Sequence, residues 1–190
     1  MTTETIQKKL FTVDEFHRMG EAGILPENRR FELIRGEIIE MPTPGPAHAG
    51  RVNRLNRLFV SRLGDAAIIG VQNPFLIDLY SEALPDIAIL KPVDDFYQKK
   101  HPGPEDVLLL VEVSHTTANY DSNVKAPLYA ESGVSEYWQL DVKKDNVVVR
   151  TNPQDGEFRN VRICSRGESI RLQRLDFVFS VDEILGPRDE

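Results

Sequence analysis

Two carboxylates stand where an interior strand has no ordinary use for charge. Glu112 lies near the end of the apolar run VLLLVEV, Val107 to Val113, and Asp86 interrupts LPDIAIL, Leu84 to Leu90. Runs this apolar and this rich in branched side chains read as central strands buried on both faces, where an unpaired carboxylate is costly. One such acid is explained simply enough by an arginine, a lysine or backbone donors. Two acids on two interior strands suggest more. If the strands are neighbours, the carboxylates converge at one end of a sheet, where a divalent cation would offset their burial and supply hydrolytic chemistry.

A cation is close by in sequence. Lys125 follows Asp121 at i, i+4, the spacing of an exposed helical ion pair worth about 0.3–0.5 kcal/mol. Yet its helix follows the Glu112 strand after the short connection SHTTANYD, so the first turn must pass close to Glu112. An ammonium there can orient a water or stabilise charge on a scissile phosphate. Pro127 predicts that this helix starts late or kinks. A second helix, Arg51 to Arg62, sets Val52, Leu55, Phe59 and Leu63 on a core stripe and Arg51, Arg54, Arg57 and Arg62 elsewhere, with no acid among them. Guanidinium forks bind phosphate oxygens in pairs, which makes this face a candidate nucleic-acid contact, against the plainer reading of a solvated helix face.

The elements that must position these groups follow from period and punctuation. FTVDEFHRMG reads as a helix with Thr12 and Glu15 as a capping box, and FELIRGEIIEM as a hairpin turning at Arg35-Gly36. The proline-rich PTPGPAHAG reads as a loop, which leaves His48 outside regular structure, and the arginine helix ends at Gly64. Alternation sets Glu32 opposite Phe31 and Leu33, facing solvent if its strand lies at an edge. Strands are predicted at Ala66 to Val71, Phe75 to Leu79, Leu84 to Leu90 and Val107 to Val113, then a helix around Ser122 to Glu131. The strands EYWQLDV, VVVRT and EFRNVRIC follow, and DDFYQKKHPGPED reads as a long surface loop. A strand-rich centre with flanking helices predicts a mixed sheet in an α/β fold bordering on α+β.

At 190 residues, 41% hydrophobic and 28% charged, the chain has the make-up of one folded domain, residues 1–190. MTTETIQKK has no apolar segment behind its charges, and no run approaches the roughly 20 apolar residues that span a bilayer, so a cytoplasmic location is expected. Cys164, the one cysteine, excludes an intrachain disulfide and a cysteine-cluster zinc site. A net charge of −7 argues against a surface coated for unselective nucleic-acid binding but leaves room for a local basic groove. No phosphate-cradling glycine loop and no Gly-x-Ser-x-Gly elbow occurs, and Ser114 and His115, adjacent on a strand, point to opposite faces.

The series FELIRGEIIEMPTPGPAH, LPDIAIL and LLVEVSHTTANYDSNVKAPLYAESGVSEYWQLD resembles the Uma-type restriction endonuclease family of the PD-(D/E)xK nuclease superfamily, over about Phe11 to Pro153. The resemblance implies a restriction-endonuclease-like fold, a mixed central sheet flanked by helices. It also implies metal-dependent hydrolysis of DNA with Mg²⁺, or Mn²⁺ in its place. The superfamily's proline-aspartate pair maps onto Pro85-Asp86 and its second acid onto Glu112, the implied metal ligands. The usual lysine position falls on Ser114, so Lys125 in the following helix becomes the catalytic candidate, with Glu32 and His48 completing the site. By analogy with nucleases that cut both strands, a homodimer is possible. The alternative function is a catalytically silent nucleic-acid or protein-binding module that retains the nuclease fold.

Overall fold

The computed structural model describes residues 6–188; residues 1–5, the start of the MTTETIQKK stretch, and residues 189–190 lie outside the described residues. At its centre β7 (Val107–Ser114) is buried along its whole length. It pairs antiparallel with β6 (Ile87–Leu90) and parallel with β8 (Glu136–Asp141). A strand with neighbours on both sides and layers on both faces has no polar face to show, hence its unbroken apolar composition. The six-stranded mixed sheet runs β10 (Glu157–Ser165), β9 (Asn146–Gln154), β8, β7, β6, β3 (Ile68–Val71).

Alternation along β7 sorts its side chains between two cores. Leu109, Val111 and Val113 join Val52, Leu55, Phe59 and Leu63 of α2 (Pro46–Leu63). Leu110 turns to the opposite core with Ala88, Tyr129 and Tyr137, and Glu112, two residues on, shares its face. The parallel β7–β8 connection carries a helix made of α3 (Ala118–Tyr120), a π-helical turn Asp121–Lys125 and α4 (Ala126–Glu131). The helix therefore begins at Ala118, earlier than its sequence suggests. Pro127 acts through the π turn: without an N–H it cannot close a normal turn, and the Ala126 N–H reaches back five residues to the Asp121 carbonyl.

A four-stranded sheet, β2 (Glu37–Met41), β1 (Arg30–Ile34), β5 (Ser81–Ala83), β4 (Phe75–Asp78), supplies the remaining wall. Its β1–β2 hairpin turns at Arg35 and Gly36, both at positive φ. A side chain on Gly36 would start 2.6 Å from the Leu10 Cβ, so both conformation and space favour glycine there. Because β5 covers the other side of β1, β1 is no edge strand and Glu32 is buried. Ile34 belongs to the core shared with β7, whereas Leu33 packs with Val13 and Phe16 of α1 (Val13–Glu21), whose Thr12–Glu15 capping box forms as expected.

The structure departs from the sequence expectations at two further places. LPDIAIL is not one strand: Pro85 removes a ladder donor and restricts Leu84, so β5 ends at Ala83 in one sheet and β6 begins at Ile87 in the other. Asp86 sits in that break. The proline-rich segment is helical from Pro46, whose fixed φ suits a first helical position, and His48 thus lies in the opening turn of α2. The chain closes with β11 (Ser169–Leu172), β12 (Phe177–Ser180) and α5 (Val181–Leu185), which pack on α2 and the core. Among the described residues, no helix is long and apolar enough to cross a membrane.

Candidate active site

Antiparallel pairing of Ile87 with Val111 sets Asp86, one residue before β6, across from Glu112. The two are laced together: the Asp86 N–H points at Glu112 Oε2, 3.4 Å away, and the Val113 N–H donates to Asp86 Oδ2 at 2.9 Å. Asp86 Oδ1 is shared by His48 Nε2 and the Gln72 side-chain amide, each at 3.0 Å. Burial works to raise the Asp86 carboxyl, but His48, Gln72 and the Val113 amide outweigh it and hold it below the usual carboxylate range. His48 is raised in return, chiefly by its hydrogen bond to Asp86, against burial and the charge of Arg30.

Lys125 occupies the other half of the site. Its Nζ donates to Glu112 Oε1 and to Glu32 Oε1, each at 2.9 Å, and only 2% of the residue is exposed. Asp121 is not its partner: the Asp121 carboxylate takes the hydroxyls of Ser114 (2.6 Å) and Thr117 (2.7 Å). Widening the helix to a π turn upsets the i, i+4 register, which turns Lys125 to the sheet and Asp121 to the end of β7. Tyr129, one turn beyond Lys125, donates its hydroxyl to the same Glu112 oxygen at 2.9 Å.

The charges do not balance. Burial first, then the negative charge of Asp86, Asp121 and Glu32, lifts the Glu112 carboxyl to about 8 despite Lys125. Burial would strip Lys125 of its proton, but Glu112, Glu32 and Asp121 together raise its pKa, so it remains an ammonium. Both shifts are upward and share one origin beyond burial, an excess of acid around a single lysine. Glu32 Oε1 also accepts the Leu84 N–H at 2.9 Å, while Glu32 Oε2 is buried and has no hydrogen-bond partner among the described residues.

These groups line the base of a cleft of about 360 Å³. Its walls are the segment from Met41 to His48 and the turn His115 to Thr117, with Arg30 and Arg51 also lining it. Of the residues singled out from sequence, Asp86, Glu112, Lys125, Glu32 and His48 thus come together, although they are scattered over four elements and one strand break. The arginines of α2 do not act as one face. Arg51 lines the cleft and donates to the Ala47 carbonyl; Arg62 holds Glu183 and the Val178 carbonyl; Arg54 reaches the Glu183 carbonyl; Arg57 is exposed. Sequence reasoning missed Gln72 and Tyr129. Helical spacing from Lys125 signals Tyr129, but Gln72 reaches Asp86 only because β3 pairs with β6, which no local pattern reveals.

The donor set suits a hard cation. Among the described residues, Glu112 Oε2 takes one long hydrogen bond and Asp86 Oδ2 one from the Val113 N–H, which leaves each oxygen a lone pair at a site crowded with acids. Among the described residues no three His, Cys, Asp or Glu side chains are arranged to hold a metal ion. Two carboxylates, with water or substrate oxygens for the rest, fit the manner in which Mg²⁺ is bound.

The solved structures include one of the same fold, described as a putative nuclease belonging to DUF820 from Anabaena variabilis ATCC 29413. The TM-score is 0.70 at 16% identity, over 92% of this chain and 97% of that one. No curated protein matches the chain. The Uma2 family model, described as "Putative restriction endonuclease", matches residues 13–182, so the chain belongs to the Uma2 family.

Proposed function

We propose that this protein is a metal-dependent endonuclease that hydrolyses DNA phosphodiester bonds. The observation that carries the reading is the meeting of Asp86, Glu112 and Lys125 at the base of one cleft, two acids with an amine bridged to one of them. Asp86 and Glu112 are the residues that would hold Mg²⁺. Bound there, the ion would act as a Lewis acid and lower the pKa of a coordinated water.

The chain's own groups have separable tasks. Lys125, kept protonated by Glu32 and Glu112, is placed to orient a water or to meet charge developing on a phosphate oxygen. Glu32 positions that ammonium from a neighbouring sheet, and His48 fixes the orientation of Asp86. Arg51 lines the cleft and is the α2 arginine placed nearest the acids for a phosphate contact.

A silent binding module is the second reading. It is favoured by Ser114, which fills the superfamily's lysine position and commits its hydroxyl to Asp121. Labelled DNA incubated with Mn²⁺ separates the two. The hydrolytic reading expects cleavage by the wild type and its loss in Glu112→Gln, whereas cleavage unchanged in that variant contradicts it.

A further inference from the structure

Resting on the nuclease reading, we infer that Asp121 is a further catalytic residue, the base that takes the proton of the attacking water at its Oδ1 oxygen. Asp121 lines the acid cleft together with Lys125, and only 2% of the residue is exposed. Its two oxygens are differently placed. Oδ2 accepts the Ser114 hydroxyl at 2.6 Å and the Thr117 hydroxyl at 2.7 Å, so both of its lone pairs are taken. Oδ1 accepts no hydrogen bond among the described residues, and unlike Glu32 Oε2 it is not enclosed. A carboxylate held in this way can accept a proton only at Oδ1, on the cleft side. Tying the helix to β7 occupies Oδ2 alone and gives the second oxygen no task. Burial raises the Asp121 carboxyl above its ordinary range, against Lys125 and the two hydroxyls, which suits a group that must hold a proton in passing.

What holds Oδ2 is a line of donors that all point the same way. Arg150 on β9 donates to Ser122 Oγ at 3.2 Å, and Ser122 donates to Gln139 Oε1 on β8 at 2.8 Å. Gln139 Nε2 donates to Ser114 Oγ at 3.1 Å, and Ser114 donates to Asp121. The Ala118 carbonyl pins the same Gln139 nitrogen at 2.9 Å. A guanidinium can only donate and a carboxylate only accept, which fixes the sense of the line from end to end. Among the described residues Arg150 has no carboxylate hydrogen-bonded to it, and Asp121 is the acid whose charge acts on it. Ser114 therefore has a task at the position where the superfamily carries a lysine: it orients an acid, while Lys125 supplies the cation. The step balances. Oδ1 takes one proton as the water oxygen bonds to phosphorus, and the opposite P–O bond breaks with its electron pair moving to the sugar oxygen, which picks up a proton from solvent.

The test follows Mn²⁺-dependent cleavage of labelled DNA by the full chain, with Mn²⁺ binding measured by calorimetry on the same samples. Asp121→Asn keeps an acceptor for Ser114 and Thr117 but removes the base. It should slow cleavage by about 10²-fold or more while the heat of Mn²⁺ binding stays as in the wild type. Asp121→Ala should be slow as well and should recover part of its rate when formate, a small carboxylate that fits the vacated space, is added. A carboxylate needed only for structure gives no such recovery. Ser114→Ala, which leaves Oδ2 one partner, should cut several-fold more slowly than the wild type. If the wild type cuts and Asp121→Asn cuts as fast, the inference falls and the nuclease reading stands. Loss of the Mn²⁺ heat in Asp121→Asn would make Asp121 a metal ligand and overturns its role as base. A folded, Mn²⁺-binding Asp121→Ala that formate does not rescue overturns it too. A wild type that cuts no DNA removes the nuclease reading and the inference with it.

Discussion

Asp86 and Glu112 meet across the start of β6 and the end of β7, with the Asp86 amide directed at Glu112 Oε2 (3.4 Å) and the amide beside Glu112 donating to Asp86 Oδ2 (2.9 Å). Backbone of each strand thus fixes the side chain of the other, so the spacing of the two acids is a property of the sheet rather than of flexible rotamers. A site built on strands in this way needs little rearrangement to accept an ion.

Replacing either acid should cost metal and spare the fold. Asp86→Asn and Glu112→Gln keep shape and replace a carboxyl that can ionise onto a cation, so the heat of Mn²⁺ binding should vanish in calorimetry while the circular dichroism spectrum is retained. Thermal stability without metal should hold or rise in Glu112→Gln, whose carboxyl burial and its acidic neighbours disfavour as an anion, and fall in Asp86→Asn, whose ionised form His48, Gln72 and the Val113 amide stabilise. Undiminished Mn²⁺ binding by either variant would take that residue out of the ligand set.

Lys125→Met should be costly in two ways. It removes the cation from between Glu32 and Glu112 and leaves two buried carboxylates uncompensated, a change worth about 3–5 kcal/mol of stability. Denaturant unfolding measures that loss. Pairing it with Glu32→Gln should return part of the stability but none of the cleavage, because the ammonium proposed to act on the phosphate is still missing. Cleavage at the wild-type rate by the double variant would leave Lys125 a structural counter-ion only.

Pro127 holds the π turn open. Pro127→Ala restores an N–H that can close a regular turn, so the helix is expected to tighten and swing Lys125 off the line between Glu32 and Glu112. Activity should fall while the melting temperature stays level or rises, since proline in a helix interior costs about 3 kcal/mol. Full activity together with a raised melting temperature would show that the turn is set by tertiary packing instead.

Glu136 gives a pH dependence that can be isolated from the cleft. Burial lifts its carboxyl to about 7 against the donors Gln173 N–H and Trp138 Nε1–H. A carboxyl raised in the fold keeps its proton after the unfolded chain has released its own. Its contribution is therefore full below the unfolded value of 4.5 and is lost as pH rises through about 7. Glu136→Gln stays neutral, so the unfolding free energy from urea titrations between pH 5 and 8 should fall less steeply, by on the order of 2 kcal/mol. An unchanged slope would mean that Glu136 does not titrate in this range.

What the sequence disclosed was whatever depends on near neighbours. The buried course of β7, the Thr12–Glu15 cap, the turn at Gly36 and the core stripe of α2 are written in runs and periods of a few residues. The family resemblance added the pairing of Pro85-Asp86 with Glu112. Three things escaped. The break at Pro85 looks like continuous strand because the apolar pattern carries across two sheets. The inward setting of Glu32 depends on β5 covering β1, a contact between distant segments. The reach of Gln72 to Asp86 depends on β3 pairing with β6, again a contact between distant segments.

The measurement that bears most directly on the proposed chemistry is a crystal of the wild-type protein soaked in Mn²⁺ and examined by anomalous diffraction. A single strong peak between the carboxylates of Asp86 and Glu112, with Lys125 still beside Glu112, is the result expected. An empty cleft at saturating Mn²⁺, with the two acids paired only to Lys125, His48 and the backbone, would contradict a metal-dependent nuclease and identify the cluster as structural.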